Sequence, residues 1–200
     1  MTRHVVLAGD SIFDNDAYVP GEPGVLRQLQ AALPAGWSAS KVAIDGDVIA
    51  GVRRQVKNLP RDVTDLIVSV GGNDALGLSS LLASVRNADD LTRAMKTPLA
   101  EFRADYVDML EFLRPFSVRL QVCTIYTAIP FQEPLWRAFA PLGIGHFNNV
   151  ILAEAAARGI PVLRLDLACT EDSDYSALSP IEPSAKGGQK IVDLIVEALA

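Results

Sequence analysis

The stretch that decides the fold is His4-Val5-Val6-Leu7-Ala8 running straight into Gly9-Asp10-Ser11. Five apolar or aromatic residues without polar alternation describe a strand buried on both faces, as in a parallel sheet. The Gly-Asp-Ser that follows is turn chemistry set at the carboxyl end of that strand. Four further runs rich in Val, Ile or Leu repeat the pattern at residues 39–44, 65–70, 118–125 and 161–167. Two of them also end in unusual polar turns, Asp45-Gly46-Asp47 and Gly71-Gly72-Asn73-Asp74.

Between the strands the apolar period lengthens to that of a helix. Pro23 opens one with Leu26, Leu29 and Leu33 on a single face and Pro34 as its stop, and Ile49, Val52, Val56 and Leu59 mark a second. A long helical region at 79–116 is predicted to break near 87–90 and at 96–98, where Pro98 lies. A helix at 147–157 closes on Gly159 with Pro161 beyond it. The last begins near Ser184 and carries Ile191, Leu194, Ile195 and Leu199. Alternating βα units without a repeat or linker predict one domain over 1–200. Its expected class is α/β, a three-layer α/β/α sandwich around a five-stranded parallel sheet of flavodoxin-like topology.

Composition narrows the function classes. Half of the 200 residues are apolar and 21% are charged, an ordinary globular balance. The net charge of −6 leaves no basic excess for nucleic acid or an anionic membrane surface. The apolar start of the chain meets Asp10 too soon for a signal or membrane-spanning segment, so a cytoplasmic location is expected. Two cysteines, Cys123 and Cys169, form no Cys-x-x-Cys pair, and two histidines, His4 and His146, make a histidine-built zinc site improbable. No cofactor is expected. Asp14-Asn15-Asp16 lacks the alternating ligands, glycine and distal glutamate of a calcium loop and reads as a turn.

In an open parallel sheet, ligands bind outside the carboxyl ends of the strands. Those ends hold Ser11, Gly46 and Asn73. Each alone is turn or N-cap chemistry. Together they are a hydroxyl that can attack, a backbone N–H that can face it and a side-chain amide that can donate, which are the parts of acyl transfer.

The motifs are specific enough to name a resemblance. Gly9-Asp10-Ser11-Ile12-Phe13-Asp14-Asn15 resembles the first sequence block of the SGNH, or GDSL-type, hydrolases, Gly46 their second, and Gly71-Gly72-Asn73-Asp74 their Gly-x-Asn-Asp third block. Pro183-Ser184 resembles the Pro-Ser that follows their fifth-block histidine. The resemblance implies Ser11 as nucleophile on a small-molecule ester, with the Ser11 N–H, the Gly46 N–H and the Asn73 amide as the oxyanion hole. Asp10 and Asp74 also fall on family positions and are expected to be structural hydrogen-bonders.

The chain departs from the family where proton transfer is concerned. The fifth block reads Asp-x-x-His in the family, but Ser179-Pro180-Ile181-Glu182 here. Glu182 replaces the base and Ser179 its orienting aspartate, and both histidines read as structural. A glutamate serves as base if burial lifts its pKa, here expected between about 4.5 and 6.5. Asp166, Glu171, Asp172 and Asp174 are candidates for a second carboxylate, and the 131–142 segment with Trp136 and Phe139 is a candidate acyl-pocket wall. The competing class is a catalytically silent SGNH-like domain that binds a ligand in the same pocket. A phosphatase using Asp10 is disfavoured because Ile12 fills the second acidic position, and no Gly-x-Gly-x-x-Gly supports a nucleotide binder.

Overall fold

The computed structural model describes residues 2–78, 80, 85–116 and 118–200. Its centre is a parallel five-stranded sheet, β1 (His4–Gly9), β2 (Ser38–Lys41), β3 (Asp65–Ser69), β4 (Arg119–Cys123) and β5 (Val162–Leu163), in the order β2-β1-β3-β4-β5. This is the expected fold class. The order reverses between β1 and β3, which register Val5 against Asp65 and Gly9 against Ser69. That reversal is where a doubly wound sheet opens a crevice for a ligand.

The two-residue period of β1 sorts the chain into layers. Val5 and Leu7 face a core shared with α1 (Val25–Ala32) and α7 (Ala185–Leu199). Val6 and Ala8 face the opposite core, packed by α2 (Ile49–Gln55), α4 (Ala88–Leu113) and α5 (Pro134–Ala156). Two short helices, α3 (Gly72–Leu76) and α6 (Leu165–Ala168), begin at the carboxyl ends of β3 and β5. No helix of the described residues is long and apolar enough to cross a membrane.

Some boundaries differ from expectation, and one lies outside the described residues. The start of the long helical region, Ser79 and residues 81–84, lies largely outside the described residues. The break near 87–90 is the N-terminus of α4, with the Asn87 side chain accepting from the Asp90 N–H, but the break at 96–98 does not occur. Pro98 sits inside α4, and the loss of its N–H is offset by Leu91, Met95, Phe102, Tyr106 and Met109 buried along the same helix. Likewise α5 starts 13 residues before the expected 147, at Pro134, despite Pro141, Gly143 and Gly145. Ala140, Ile144, Phe147 and Ile151 form one buried stripe at helical spacing, and that packing overrides the local breakers. The fifth strand is short because Leu165 turns into α6.

Polar anchors fix the strand ends that matter. Gln55 of α2 is buried beneath the end of β1, accepting from the Gly9 N–H at 2.8 Å and donating to the Gly9 carbonyl at 2.7 Å and the Asp47 carboxylate at 2.8 Å. At the opposite end of the sheet, buried Asp65 is gripped by Arg3 and Arg119.

Candidate active site

Gly9 ends β1 at φ +123°, so close to β3 that the Asp10 N–H donates to the Ser69 carbonyl at 3.0 Å. The chain then coils tightly, with the Phe13 and Asp14 N–H groups donating to the Asp10 carbonyl and the Ile12 N–H donating to Asp10 Oδ1 at 3.1 Å. This turn holds Ser11 in the interior, only 6% exposed.

The Ser11 hydroxyl donates to Glu182 Oε1 at 3.0 Å, across 171 positions of sequence. The loop that delivers Glu182 is held from several sides. Its N–H donates to the Ser179 carbonyl, its carbonyl accepts from the Ser176 N–H, and Tyr175 and Pro183 form an antiparallel bridge. The Tyr126 hydroxyl donates to the Ile181 carbonyl, and Asn15 Nδ2 donates to the Pro183 carbonyl, joining this loop to the Ser11 turn. Ser184 then caps α7 by accepting from the Gly187 N–H. Glu182 therefore does not serve as a surface charge for the helix dipole. Its carboxylate is buried against Ser11, and Oε2 has no hydrogen-bond partner among the described residues.

The remaining predicted residues fall around this pair. Asn73, at the start of α3, lines the same cavity as Ser11 and donates from Nδ2 to the Asp47 carbonyl at 2.9 Å. Gly46 lies in the exposed turn beside Asp47 at φ +77° and is not among the residues lining that cavity. Among the described residues neither the Ser11 nor the Gly46 N–H donates to a protein acceptor. Asp74 accepts from the first N–H of α2, at Ile49, and Asp10 from Ile12, so both hydrogen-bond within the site as expected. Ser179 contributes its backbone carbonyl where an orienting aspartate was absent.

Other candidates go elsewhere. His4 bridges Asp62 and Ser40, and His146 lines a surface groove with Asp89 and Arg93. Asp166 is held by Arg164, Glu171 by Lys186 and Asp174 by Lys190. The carboxylate that acts electrostatically on Glu182 is instead Asp45, which accepts from the Tyr18 hydroxyl at 2.9 Å, while Glu182 in turn acts on Asp10. Asp45 and Asp10 stood in the quoted motifs, but no spacing rule connects either to residue 182. No group of three or more metal-ligating side chains assembles among the described residues.

Burial governs the protonation of this site. It pushes the Glu182 carboxyl up to about 7, against the stabilising Ser11 hydroxyl and with help from the Asp45 charge. Burial pushes Asp10 up to about 8, opposed by the Ile12 N–H and reinforced by the charges of Glu182 and Asp74. Glu182 is thus poised near neutrality, higher than the sequence alone suggested, while Asp10 stays largely protonated there. Both carboxyls bind a proton more tightly folded than unfolded, where carboxylates titrate near 4. Between about pH 4 and pH 8 the native state therefore holds more protons, and stability falls as pH rises. Urea titrations are expected to give a lower midpoint at pH 8 than at pH 5.5, with a smaller difference in Glu182→Gln. Asp65, whose burial is outweighed by its arginine partners, is held below the usual carboxylate range and titrates outside this window.

Beyond Ser11 the site opens into a cavity of about 90 Å³ with an apolar lining that includes Leu91, Met95, Ile125, Phe139, Ile144 and Phe147. Trp136 and Phe139, from the segment expected to wall a pocket, both line it.

Residues 7–190 match the GDSL-like Lipase/Acylhydrolase family. No curated protein matches the chain by sequence. Among solved structures, a lipase from a goat rumen metagenome superposes with a TM-score of 0.74 at 17% identity, over 98% of this chain and 97% of its own. An extracellular lipase from Streptomyces rimosus gives 0.71 at 16% identity, over 98% and 99%. An acetyl xylan esterase gives 0.71 at 17% identity, over 98% and 100%.

Proposed function

We propose, from the premise that this chain belongs to the GDSL-like lipase/acylhydrolase family, that it is a serine esterase in which Ser11 attacks small-molecule esters and Glu182 is the base. The observation that carries this reading is the 3.0 Å hydrogen bond from the Ser11 hydroxyl to a buried carboxylate. In the first step Ser11 Oγ bonds to the ester carbonyl carbon while its proton passes to Glu182 Oε1. The oxyanion is held by the Ser11 N–H, the Gly46 N–H and the second Asn73 amide hydrogen. Collapse breaks the bond to the leaving oxygen, which takes the proton from Glu182 and departs as the alcohol. Water then attacks the acyl-Ser11 ester by the same route, giving the acid and restoring Ser11 and Glu182.

A histidine needs an orienting acid to fix its tautomer, and a carboxylate does not. That makes Ser179 in place of the aspartate compatible with Glu182 in place of the histidine. Proton transfer is favoured by a base near the working pH, and burial supplies that for Glu182.

Hydrolysis of a nitrophenyl butyrate tests the reading through its oxyanion donor. Asn73→Ala is expected to lower kcat about 10²- to 10³-fold with a smaller change in KM, because its amide acts on charge that develops in the transition state. Wild-type protein without turnover above the buffer rate would leave the silent-binding alternative. An Asn73→Ala variant as active as wild type would remove Asn73 from the oxyanion hole.

A further inference from the structure

The cavity beside Ser11 contains a position that packing does not explain. Gly143 lies inside α5, is buried and lines the cavity. A glycine within a helix is destabilising relative to alanine. Elsewhere in this fold buried helical glycines are required by close contacts. A Cβ on Gly51 would meet the Asp47 carboxylate at 1.9 Å, and one on Gly187 would meet the Asp174 carbonyl at 2.0 Å. Among the described residues a Cβ on Gly143 would meet nothing within 4 Å, and Gly143 does not adopt a positive φ. Neither crowding nor conformation calls for glycine there. What the missing side chain leaves is space free of described residues, in the cavity that Ser11 also lines.

We propose that Gly143 is a specificity-determining residue that keeps this slot open for an unbranched aliphatic acyl chain, in the esterase reaction inferred above for Ser11. The lining argues for the acyl half of an ester. Polar side chains, among them Ser11, Asn73 and Thr124, come from the strand ends, whereas Leu91 and Met95 of α4 and Phe139, Ile144 and Phe147 of α5 supply an apolar wall. A cavity of about 90 Å³ is smaller than the roughly 150 Å³ that accommodates benzene in a dry protein interior, so the fit is a short chain of roughly two to four carbons. Such a pocket rejects a polyhydroxylated acyl group because its hydroxyls would be buried without partners.

The test uses the full chain, with nitrophenyl acetate, butyrate, hexanoate and octanoate as substrates for wild type, Gly143→Ala, Gly143→Leu and the control Gly145→Ala. Each methylene buried is worth about fourfold in kcat/KM, so wild type is expected to rise from acetate to butyrate and to fall beyond it. Gly143→Leu is expected to lose at least about tenfold on butyrate while staying within about twofold on acetate, and Gly143→Ala to fall between. Because the added side chains fill empty space and favour the helix, Gly143→Ala is expected to raise Tm by about 2–4 °C. Binding of pentan-2-one, an uncharged ester mimic, to Ser11→Ala protein is read independently from the fluorescence of Trp136, which lines the cavity. Adding Gly143→Leu to that background is expected to weaken it at least about tenfold. If no ester is turned over but ketone binding responds to residue 143, the esterase reading fails and the slot stands. If Gly143→Leu folds and changes neither the chain-length profile nor ketone binding, the slot is not the acyl site. Should Gly143→Leu fail to fold, Gly143→Ala with an unchanged profile and unchanged ketone binding overturns the proposal by itself.

Discussion

Ser11→Ala and Glu182→Gln are each expected to lower kcat on a nitrophenyl ester by about 10³-fold or more, and the double variant to be no slower than the worse of the two. The first change deletes the atom that bonds to the substrate. The second preserves the shape of residue 182 and its capacity to accept from Ser11, which stays 3.0 Å away, but removes the basicity that takes the proton. Non-additivity is the informative part. A base that works only through Ser11 has nothing to act on once Ser11 is gone, whereas two independent contributions would multiply. Folding is expected to survive Glu182→Gln, since the loop is held by the backbone of residues 176, 179 and 183 and by Tyr126 and Asn15. Stopped assays at pH 8, with urea midpoints as the check on folding, measure both effects.

The second large effect is structural. Gly9→Ala is expected to leave little folded protein, a loss of at least about 4 kcal/mol. Two penalties coincide at this position. An L side chain is strained at φ +123°, and its Cβ would lie 1.7 Å from the Ser69 carbonyl oxygen of the neighbouring strand. Relief would require β1 and β3 to separate where they register Gly9 against Ser69, and would break the Gln55 clamp on the same peptide. Gly36→Ala separates the two penalties. Gly36 has φ +83° but nothing within 4 Å among the described residues, so only the backbone term applies, about 1–2 kcal/mol. Expression level and urea denaturation of the two variants decide the comparison. Equal stability would show that the close approach of the strands carries no weight.

These two regions also mark what the sequence made legible. The Gly9-Asp10-Ser11 and Gly71-Gly72-Asn73-Asp74 turns were readable because a buried strand must end before its chain can reach solvent, and the residues at that end are chosen by backbone geometry and chemistry together. The sheet followed from β-rich runs, and the layers from the alternation within β1. Helix α5 was legible only in its second half. Pro141, Gly143 and Gly145 are local breakers, and the packing of Ala140 and Ile144 that outweighs them is a tertiary fact. The same glycine that obscured the helix lines the cavity. Glu182 was located by its place ahead of Ser184, yet its burial and its bond to Ser11 depend on a loop assembled from Tyr126, Asn15 and Ser176. Asp45 and Asp10 were visible as motif residues but not as electrostatic neighbours of Glu182, because through-space proximity leaves no spacing pattern.

The pH dependence of Ser11 labelling by a fluorophosphonate, followed by intact mass, is the most direct measurement of the central claim, because it reads nucleophile activation without a substrate's leaving group or a product's release. Labelling at Ser11 is expected to accelerate along a single ionisation near pH 7, as Glu182 loses its proton, and in Glu182→Gln to be at least about 10²-fold slower with that ionisation gone. Labelling that is absent at Ser11, or that proceeds at the same rate and with the same pH profile in Glu182→Gln, would contradict a nucleophile activated by this carboxylate.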